Sequence, residues 1–492
     1  MRRLDRAAGE SLAISWNGRR IECRVGDSVA AALYAAGIRR LASSRKFHRP
    51  IGLSGIYPAG SLLRIDGMPH QRADRIVVRD GMDVREQNVW PSSQFDLLRL
   101  MRLLPRKPFE AGFEHPAWLP SGTRRFDRWE ALLRYLAGIA DPPDSKRAGA
   151  PIPGDLVAFD VAIVGGGPAG RAAAIDEARA GKSVLLVSRG HTPGAGARAM
   201  GAALPDLPPS VRIVAAAEAF GLYRRGTLLG IAPFDGSSAT LVEANEIVLA
   251  TGRRSCPPLV PGIDLPGVLD LKTALAVAHD HAVAPGHSVL LVGTGDLAPI
   301  AARFAARGVR IVEQAPAASL DRVLGWNEVT GAVVAGRRIA CDAVVHAGPW
   351  RSDPSLSFQA AADGGFRMLP GAPSARLRIV GSAAEASEPI LCPRHGRSAF
   401  VCPCMDVTQA EIEACIAETQ HVEELKRLTS CGMGPCQGFP CWDNLAAMLE
   451  RATGAAATNF GHPTFRPPRA ALTLAQAAGL ADLVAPEPAA RP

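Results

Sequence analysis

The strongest constraint on this chain is the placement of its cysteines, because most of the ten lie between residues 400 and 443. Cys402 and Cys404 form a Cys-x-Cys pair, and Cys431, Cys436 and Cys441 follow farther along among several glycines. Two groups of thiolates joined by a spacer can converge on one metal centre, and thiolates suit iron–sulfur clusters and zinc. The stretch therefore predicts a small metal-binding domain.

The spacer between the two groups of cysteines has a helical pattern. Thr408 and Glu411 form a capping box, and Ile412 and Ile416 follow at helical spacing. Cys415 lies on the same apolar stripe, so we expect it in the core. A second short helix is predicted over residues 422–428, after which the glycines allow a tight loop.

These motifs carry a resemblance. The Cys-x-Cys pair, the VTQAEI helix, the EELKRLT helix and GMGPCQGFPC resemble the bacterioferritin-associated-ferredoxin-type (BFD-like) [2Fe-2S] domain of alpha subunits of opine oxidases, D-hydroxyproline dehydrogenases and hydrogen cyanide synthase. The resemblance implies Cys402, Cys404, Cys436 and Cys441 as ligands, with Cys431 as an alternative. A structural zinc site, or reduced cysteines without metal, are the other interpretations, because four thiolates serve zinc as well as iron.

The first 105 residues predict a β-grasp domain without a cluster. Two short strands flank Asn17-Gly18, a hairpin signal, and Ser28 caps an alanine-rich helix. A plant-type cluster needs Cys-x4-Cys-x2-Cys after this helix, but no cysteine lies there and Cys23 is alone. The segments SSRKFHRPIGL and NVWPS resemble the cluster-free N-terminal domain of the heterotetrameric sarcosine oxidase alpha subunit.

A basic cluster within this domain has two interpretations. Arg45, Lys46, His48 and Arg49 either contact a phosphate or a partner, or lie in an exposed charged loop. The following residues, 106–156, are rich in proline and predict a connector that contains one helix with a tryptophan.

A glycine fingerprint follows the connector. A buried strand ends at Gly165-Gly-Gly-Pro-Ala-Gly170, and an alanine-rich helix follows. Gly165 permits the tight turn, Gly167 lets a pyrophosphate approach the backbone, and Gly170 allows close packing of the helix. Pro168 and Ala169 complete the loop, and the free N–H groups of the helix favour phosphate.

The rest of this first nucleotide fold departs from the common pattern. Ser188 and Arg189 stand where an acidic residue binds ribose, which slightly favours a ribose that carries a phosphate. Thr251-Gly252 is the turn typical of flavoproteins with two dinucleotide domains, and Gly381-Ser382 stands where such proteins close the flavin site. We expect FAD here, with NAD, another nucleotide or an empty structural fold as alternatives.

A second glycine loop lies inside the first fold. Gly293 and Gly295 follow a strand, Ala298 replaces the third glycine, and Glu313 has the spacing of an acidic ribose contact. The placement resembles the inserted NADH-type domain of pyridine-nucleotide-disulfide-reductase-like flavoproteins. In relatives of this kind the electron source is an amine oxidised on another subunit, so a packing role is the preferred interpretation of this fold.

Several function classes are disfavoured. The net charge of +8 is spread along the chain without a basic run interleaved with aromatics, so we expect no nucleic-acid partner. No apolar stretch reaches the ~18 residues of a membrane span and the first residues lack a signal-peptide core, so we expect a cytoplasmic protein without a transmembrane segment. His48, His346 and His395 are scattered, and we identify no catalytic general base.

The predicted fold class is α/β, a two-dinucleotide-binding-domain (FAD/NAD(P)-type, Rossmann-like) flavoprotein with an N-terminal β-grasp domain and a small helical BFD-like [2Fe-2S] domain. The predicted domains are 1–105 (β-grasp), 106–156 (connector), 157–285 with 351–395 (first nucleotide fold), 286–350 (inserted fold), 396–455 (cysteine domain) and 456–492 (tail). Because the chain ends there, we expect no folate-binding half.

The resemblance implies the electron-transfer alpha subunit of a heteromeric amine or amino-acid dehydrogenase or oxidase. The expected substrates are opines, D-hydroxyproline, sarcosine or proline, oxidised on a beta subunit of D-amino-acid-oxidase type that holds its own FAD. Electrons would pass through flavin to the [2Fe-2S] cluster. Further candidates are FMN at a subunit interface and a small third subunit. The alternatives are a structural or regulatory subunit with zinc, or a stand-alone NAD(P)H-dependent flavin oxidoreductase.

Overall fold

The computed structural model describes residues 3–5, 10–54, 62–103, 122–136, 152–223, 226–363, 367–368, 377–392, 399–481 and 483. The α-helices are α1 (Val29–Ala35), α2 (Arg124–Leu136), α3 (Pro168–Arg179), α4 (Ala195–Ala199), α5 (Leu271–His279), α6 (Ala298–Ala306), α7 (Ser355–Ala361), α8 (Gln409–Ile416), α9 (Val422–Thr429), α10 (Cys441–Thr453) and α11 (Leu474–Ala481). His395, most of the predicted connector and the end of the predicted tail lie outside the described residues.

The N-terminal domain is a five-stranded mixed sheet in the order β2-β1-β7-β5-β6. Asn17 and Gly18 both have positive φ, 50° and 84°, as the tight turn between β1 and β2 requires. Ser28 accepts the N–H of Ala31 and caps α1 as predicted. The β-grasp prediction is confirmed. The sheet contains β1 (Ser11–Trp16), β2 (Arg19–Arg24), β5 (Leu62–Ile65), β6 (Met68–Arg72) and β7 (Asp83–Arg85), and β3 (Arg40–Ser43) and β4 (Pro50–Gly52) form a separate antiparallel pair.

The first nucleotide fold is a seven-stranded sheet in the order β10-β9-β8-β13-β12-β11, with β25 beside β13. β8 runs parallel to β9 and β13, so the turns that follow β8 and β13 meet at one edge. The strands are β8 (Asp155–Val164), β9 (Val184–Val187), β10 (Val211–Val214), β11 (Ala217–Tyr223), β12 (Leu228–Pro233), β13 (Thr240–Leu249) and β25 (Leu377–Ile379).

The inserted fold contains a parallel sheet, β15-β21-β16-β17, and an antiparallel sheet, β18-β19-β20. Because β15 pairs with β21, this fold includes residues 268–279, which the sequence analysis placed in the first fold. The strands are β15 (Val268–Asp270), β16 (Val289–Gly293), β17 (Ile311–Pro316), β18 (Leu320–Gly325), β19 (Val329–Val334), β20 (Arg337–Ile339) and β21 (Ala343–Ala347). The chain enters and leaves it through the paired strands β14 (Arg253–Ser255) and β22 (Trp350–Ser352).

The N-terminal domain and the inserted fold share one hydrophobic core. Buried side chains of α1 and β1 belong to the same cluster as those of α5, β16 and α6. The Tyr34 hydroxyl donates to the Pro285 carbonyl, and Arg39 donates to Asp342 at 2.9 Å. Each fully buried aliphatic side chain contributes about 2 kcal/mol by leaving water, so the shared core binds the two domains firmly.

The cysteine domain consists of a short hairpin and three helices. The hairpin strands are β26 (Phe400–Cys402) and β27 (Val407–Thr408), followed by α8, α9 and α10. Another short strand pair, β23 (Ala362–Asp363) and β24 (Arg367–Met368), precedes this domain in the chain. Both halves of the predicted capping box are present at Thr408 and Glu411. Within the described residues, no helix is long and apolar enough to cross a bilayer.

Two of the four members of the basic cluster of the N-terminal domain are buried, so the interpretation as an exposed charged loop is wrong for these two. His48 and Arg49 are 0% and 6% exposed. His48 Nδ1 lies 3.2 Å from Asp96, and Arg49 contacts Asp406 of the cysteine domain. Sequence alone could not show this, because Asp96 and Asp406, which contact these side chains, lie far away along the chain.

Candidate metal centre and nucleotide sites

The cysteine pocket lies between the β26–β27 hairpin and the start of α10. Cys402 and Cys404 stand at the tip of the hairpin, and Cys441 is the first residue of α10. The loop between α9 and α10 turns at Gly432 and Gly438, where any side chain would collide with the indole of Trp442. The local sequence thus folds the late cysteines back onto the Cys-x-Cys pair.

Three sulfur atoms converge in this pocket. The Sγ atoms of Cys402, Cys436 and Cys441 all lie within 4.8 Å of one another, and those of Cys402 and Cys436 are 3.9 Å apart. Two thiolates on one tetrahedral ion, each at about 2.3 Å from it, would stand about 3.8 Å apart. The donor chemistry and the spacing therefore fit a thiolate-bound metal centre.

The other two thiols of the pocket contact Cys402 as well. Hydrogen bonds from its neighbours, Cys404 first, hold the pKa of the Cys402 thiol well below its usual range. The same contacts, with burial, raise the pKa values of Cys404, Cys431, Cys436 and Cys441. A bound metal cation would need its sulfur ligands as thiolates, so metal binding here would release protons.

Three of the four predicted ligands therefore converge, and the fourth, Cys404, is buried and interacts with Cys402 and Cys436. Cys431 lies 3.9 Å from the carbonyl of Cys441 and contacts Cys402, so it stays an alternative ligand. Cys415 is half-buried against the hydrophobic core of the domain, outside the group of converging sulfurs.

The first glycine loop has the close contacts that its fingerprint requires. A Cβ on Gly165, whose φ is +121°, would collide with the Ala250 carbonyl, and one on Gly170 would collide with the Gly165 carbonyl. A Cβ on Gly167 would meet nothing within 4 Å. Gly167 is the N-cap of α3 and Pro168 begins the helix, so open space lies where a pyrophosphate would approach.

The closing elements stand beside this loop. Gly381 has a φ of +64°, and a Cβ there would lie 2.5 Å from Cβ of Ala169. Ser382 Oγ lies 3.6 Å from the Cβ position of Gly252, next to Thr251. The predicted residues of the first fold thus surround one cleft.

The two residues at the expected ribose position behave differently from each other. Ser188 is buried at the end of β9, and its Oγ faces the glycine loop at Gly166. Arg189 donates to Glu218 at 2.7 Å, and Glu218 also pairs with Arg75. Arg189 is thus already engaged by a carboxylate, which weakens the interpretation that it binds a phosphate on the ribose.

Two cations in the cleft carry no motif that sequence reasoning could use. Lys272 Nζ lies 3.7 Å from the position that a Cβ of Gly252 would take. Burial lowers the pKa of the Lys272 ammonium to about 8, although the side chain is accessible from the open cleft. Burial lowers the pKa of Arg254 to about 9, and its guanidinium lies 5.7 Å from the ring of Phe439 in the cysteine domain. Among the described residues, neither forms an ion pair with a carboxylate. Both cations therefore remain available for an anionic ligand.

The second glycine loop is engaged by side chains of the protein itself. Asp296 accepts the N–H of Ala298 at 2.9 Å, at the start of α6 where a pyrophosphate would bind. Thr294 donates to Glu388 at 2.8 Å, and Glu313 accepts from Arg337 at 2.7 Å. His346, the buried histidine nearby, contacts Ser255 at 2.7 Å, and burial lowers its pKa to about 4.

Three family models match separate parts of the chain. Residues 9–89 match a 2Fe-2S iron-sulfur cluster binding domain, 159–325 match the pyridine nucleotide-disulphide oxidoreductases, and 396–480 match the sarcosine oxidase A3 domain. The first region contains Cys23 as its single cysteine, so the thiols that fit a cluster lie in the third. The matches support the predicted cofactors, FAD and [2Fe-2S].

Similar proteins cover nearly the whole chain. The alpha subunit of sarcosine oxidase from Rhizobium meliloti (strain 1021) is 27% identical over 93% of this chain and 56% of its own length. The A subunit of opine oxidase from Agrobacterium tumefaciens (strain Ach5) is 30% identical over 28% of this chain and 33% of its own. This chain thus spans about half, or less, of the length of these curated relatives. The L-proline dehydrogenase structure from P. horikoshii shares the fold, with a TM-score of 0.73, 21% identity and coverage of 96% of this chain and 98% of that chain.

Fold and cysteine pocket together define an α/β flavoprotein of the two-dinucleotide-domain class with an appended thiol-rich domain, as the sequence predicted. The chain is similar to the alpha subunit of sarcosine oxidase over most of its length and to the A subunit of opine oxidase over part of it.

Proposed function

We propose that this chain is the electron-accepting alpha subunit of a heteromeric, flavin-dependent amine or amino-acid dehydrogenase or oxidase. The observation that carries the proposal is a pocket in which Cys402, Cys436 and Cys441 lie within 4.8 Å of one another, in the same chain as a nucleotide cleft. The relatives are named as alpha and A subunits, which supports a partner. That partner is a beta subunit of D-amino-acid-oxidase type that holds FAD and oxidises the C–N bond of an opine, D-hydroxyproline, sarcosine or proline.

The residues of this chain have the following roles in the proposal. Gly165, Gly167 and Gly170 admit the pyrophosphate of FAD, and Cys402, Cys404, Cys436 and Cys441 hold a [2Fe-2S] cluster, with Cys431 as the alternative ligand. When bound, flavin and cluster supply reversible acceptance of electrons. Trp442, in the first turn of α10, packs against Phe465 with ring centroids 4.7 Å apart, and Arg254, two residues after Gly252, lies 5.7 Å from the ring of Phe439 in the cysteine domain.

A zinc-containing structural or regulatory subunit is the second candidate. The 3.9 Å separation of the Cys402 and Cys436 sulfurs is also that of two ligands on one tetrahedral zinc ion. In contrast, the Asp296 carboxylate at the start of α6 opposes a stand-alone NAD(P)H-dependent activity, because it takes the N–H group that a pyrophosphate would use.

The test combines metal analysis with reduction experiments on the purified complex. We expect iron and acid-labile sulfide in this chain, a visible spectrum with flavin and iron–sulfur bands, and anaerobic bleaching of both by a candidate amine. Zinc in place of iron would contradict the role in electron transfer. Bleaching of the flavin by NAD(P)H without any partner chain would favour the stand-alone oxidoreductase instead.

A further inference from the structure

Arg49 connects the N-terminal domain to the hairpin that carries two predicted ligands. Its Nε donates to Asp406 at 2.7 Å, its Nη2 donates to the Pro403 carbonyl at 2.8 Å, and its Nη1 donates to Asp264. The guanidinium carbon lies 3.8 Å from the centroid of the Phe400 ring. Arg49 therefore contacts the first strand of the hairpin, the turn that follows it and the segment that leads into the inserted fold.

Asp406 strengthens the same connection from the other side. Its Oδ2 accepts the backbone N–H groups of Lys46 and Phe47, at 2.8 and 3.2 Å, and its side chain is fully buried. Its backbone is left-handed, with φ of 56°, a conformation that costs free energy unless other contacts hold it. The loop of residues 44–49 and the turn of residues 402–407 are therefore fixed against each other.

These contacts lie directly beside two of the predicted sulfur ligands. Pro403 is the residue between Cys402 and Cys404, so a hydrogen bond to its carbonyl orients the peptide that joins two thiols. Groups that orient metal ligands are worth about 10- to 100-fold in metal affinity. A buried arginine also costs free energy unless its charge is compensated, and here two carboxylates compensate it.

We propose that Arg49 is a positioning residue for the metal centre, through which the β-grasp domain holds the Cys402-Pro403-Cys404 turn in ligating geometry. The domain lacks a cysteine set of its own and acts as a clamp on the cysteines of another domain. The inference rests on the proposed function only in requiring a bound metal, and it holds for iron or for zinc.

The experiment compares Arg49→Lys with Arg45→Gln in the full-length chain. Arg49→Lys keeps the charge but cannot make the three directed hydrogen bonds, whereas Arg45 is an exposed residue of the same loop. We expect the metal of Arg49→Lys to pass to a chelator at least ~10-fold faster than in the wild type, and Arg45→Gln to match the wild type. The visible circular dichroism of an iron-loaded Arg49→Lys protein should change as well, which a purely structural role would not cause.

Wild-type release kinetics and an unchanged visible spectrum in Arg49→Lys would overturn the proposal. If Arg49→Lys does not fold, metal release is measured in Asp264→Asn, which removes the charge of one Arg49 partner that lies outside the hairpin. Wild-type release kinetics in Asp264→Asn would also overturn the proposal. Different results contradict the Arg49 clamp and the proposed electron-transfer role. Zinc in the wild-type chain contradicts the electron-transfer role but leaves the clamp measurable, whereas iron without an effect of Arg49→Lys contradicts the clamp alone.

Discussion

Individual cysteines of this domain should differ in how much their substitution lowers the metal content of the chain. Cys436 lies 3.9 Å from Cys402 in the converging group, whereas Cys415 packs against the core of the domain outside it. We expect Cys436→Ser to lose most of the metal and Cys415→Ser to keep it, as measured by metal content per chain. Full metal content in Cys436→Ser would show that Cys431 takes that position, and the double variant would then be the one to lose metal.

Lys272 should make binding of an anionic nucleotide to the first cleft dependent on pH. Because the pKa of its ammonium is about 8, lower than the usual value, the side chain is cationic below that pH and neutral above it. Bound phosphate favours the cation, so affinity should fall by up to ~10-fold per unit as the pH rises above 8. Titration calorimetry with FAD between pH 7 and 9.5 measures this, and Lys272→Met should abolish the dependence. A flat profile in the wild type contradicts the role.

At the scale of individual residues, the sequence predicted those site residues that lie close together along the chain. The glycine loop is a contiguous motif whose position follows from its spacing, whereas the choice of ligands among the cysteines was implied by the family resemblance. Lys272 carries no motif, because tertiary packing alone brings it to Gly252, and Arg254 follows the Thr251-Gly252 turn without belonging to a recognised motif. Arg189 shows the same limit, since its partner Glu218 is supplied by another strand and takes the charge that a ribose phosphate would have used.

Substitutions of two glycines in the β8–α3 turn should have different effects, one on stability and the other on nucleotide binding. A Cβ on Gly170 would collide with the Gly165 carbonyl, and such overpacking costs about 1–3 kcal/mol. A Cβ on Gly167 would meet nothing within 4 Å, and the backbone there is extended. Gly170→Ala should therefore lower the free energy of unfolding of the ligand-free chain, whereas Gly167→Ala should keep it and weaken nucleotide binding. Equal nucleotide affinity in Gly167→Ala and wild type would exclude this loop as the binding site.

Elements with local signals were predictable, and those that depend on distant pairing were not. The turn at Asn17-Gly18 and the capping box at Thr408 each carry their own hydrogen-bond partners within a few residues. In contrast, β15 is a three-residue strand whose sequence suits either sheet, and its pairing with β21, from Val268 to Val344, decides where it belongs. That pairing moves the start of the inserted fold ahead of the predicted residue 286.

The whole molecule should unfold with its N-terminal domain and inserted fold as one unit, because they share a core. Tyr34→Phe removes the hydroxyl that donates to Pro285, and leaving that carbonyl unpaired should cost about 1–3 kcal/mol. We expect hydrogen exchange in β1 and β16 to accelerate together in this variant. Arg79→Ala, which breaks an exposed ion pair with Asp66, should change stability by less than about 1 kcal/mol. Faster exchange in β1 alone would show that the two domains unfold separately.

The inserted fold starts and ends at neighbouring points, since Arg253 of β14 stands opposite Ser352 of β22. On geometry alone, a tight turn could replace it and leave the first sheet intact. Such an excision would, however, remove the surface against which the β-grasp domain packs, and so take away the support of the loop of residues 44–49 that contacts the cysteine hairpin. Selection can therefore preserve this fold as a structural support, whether or not its glycine loop binds a ligand.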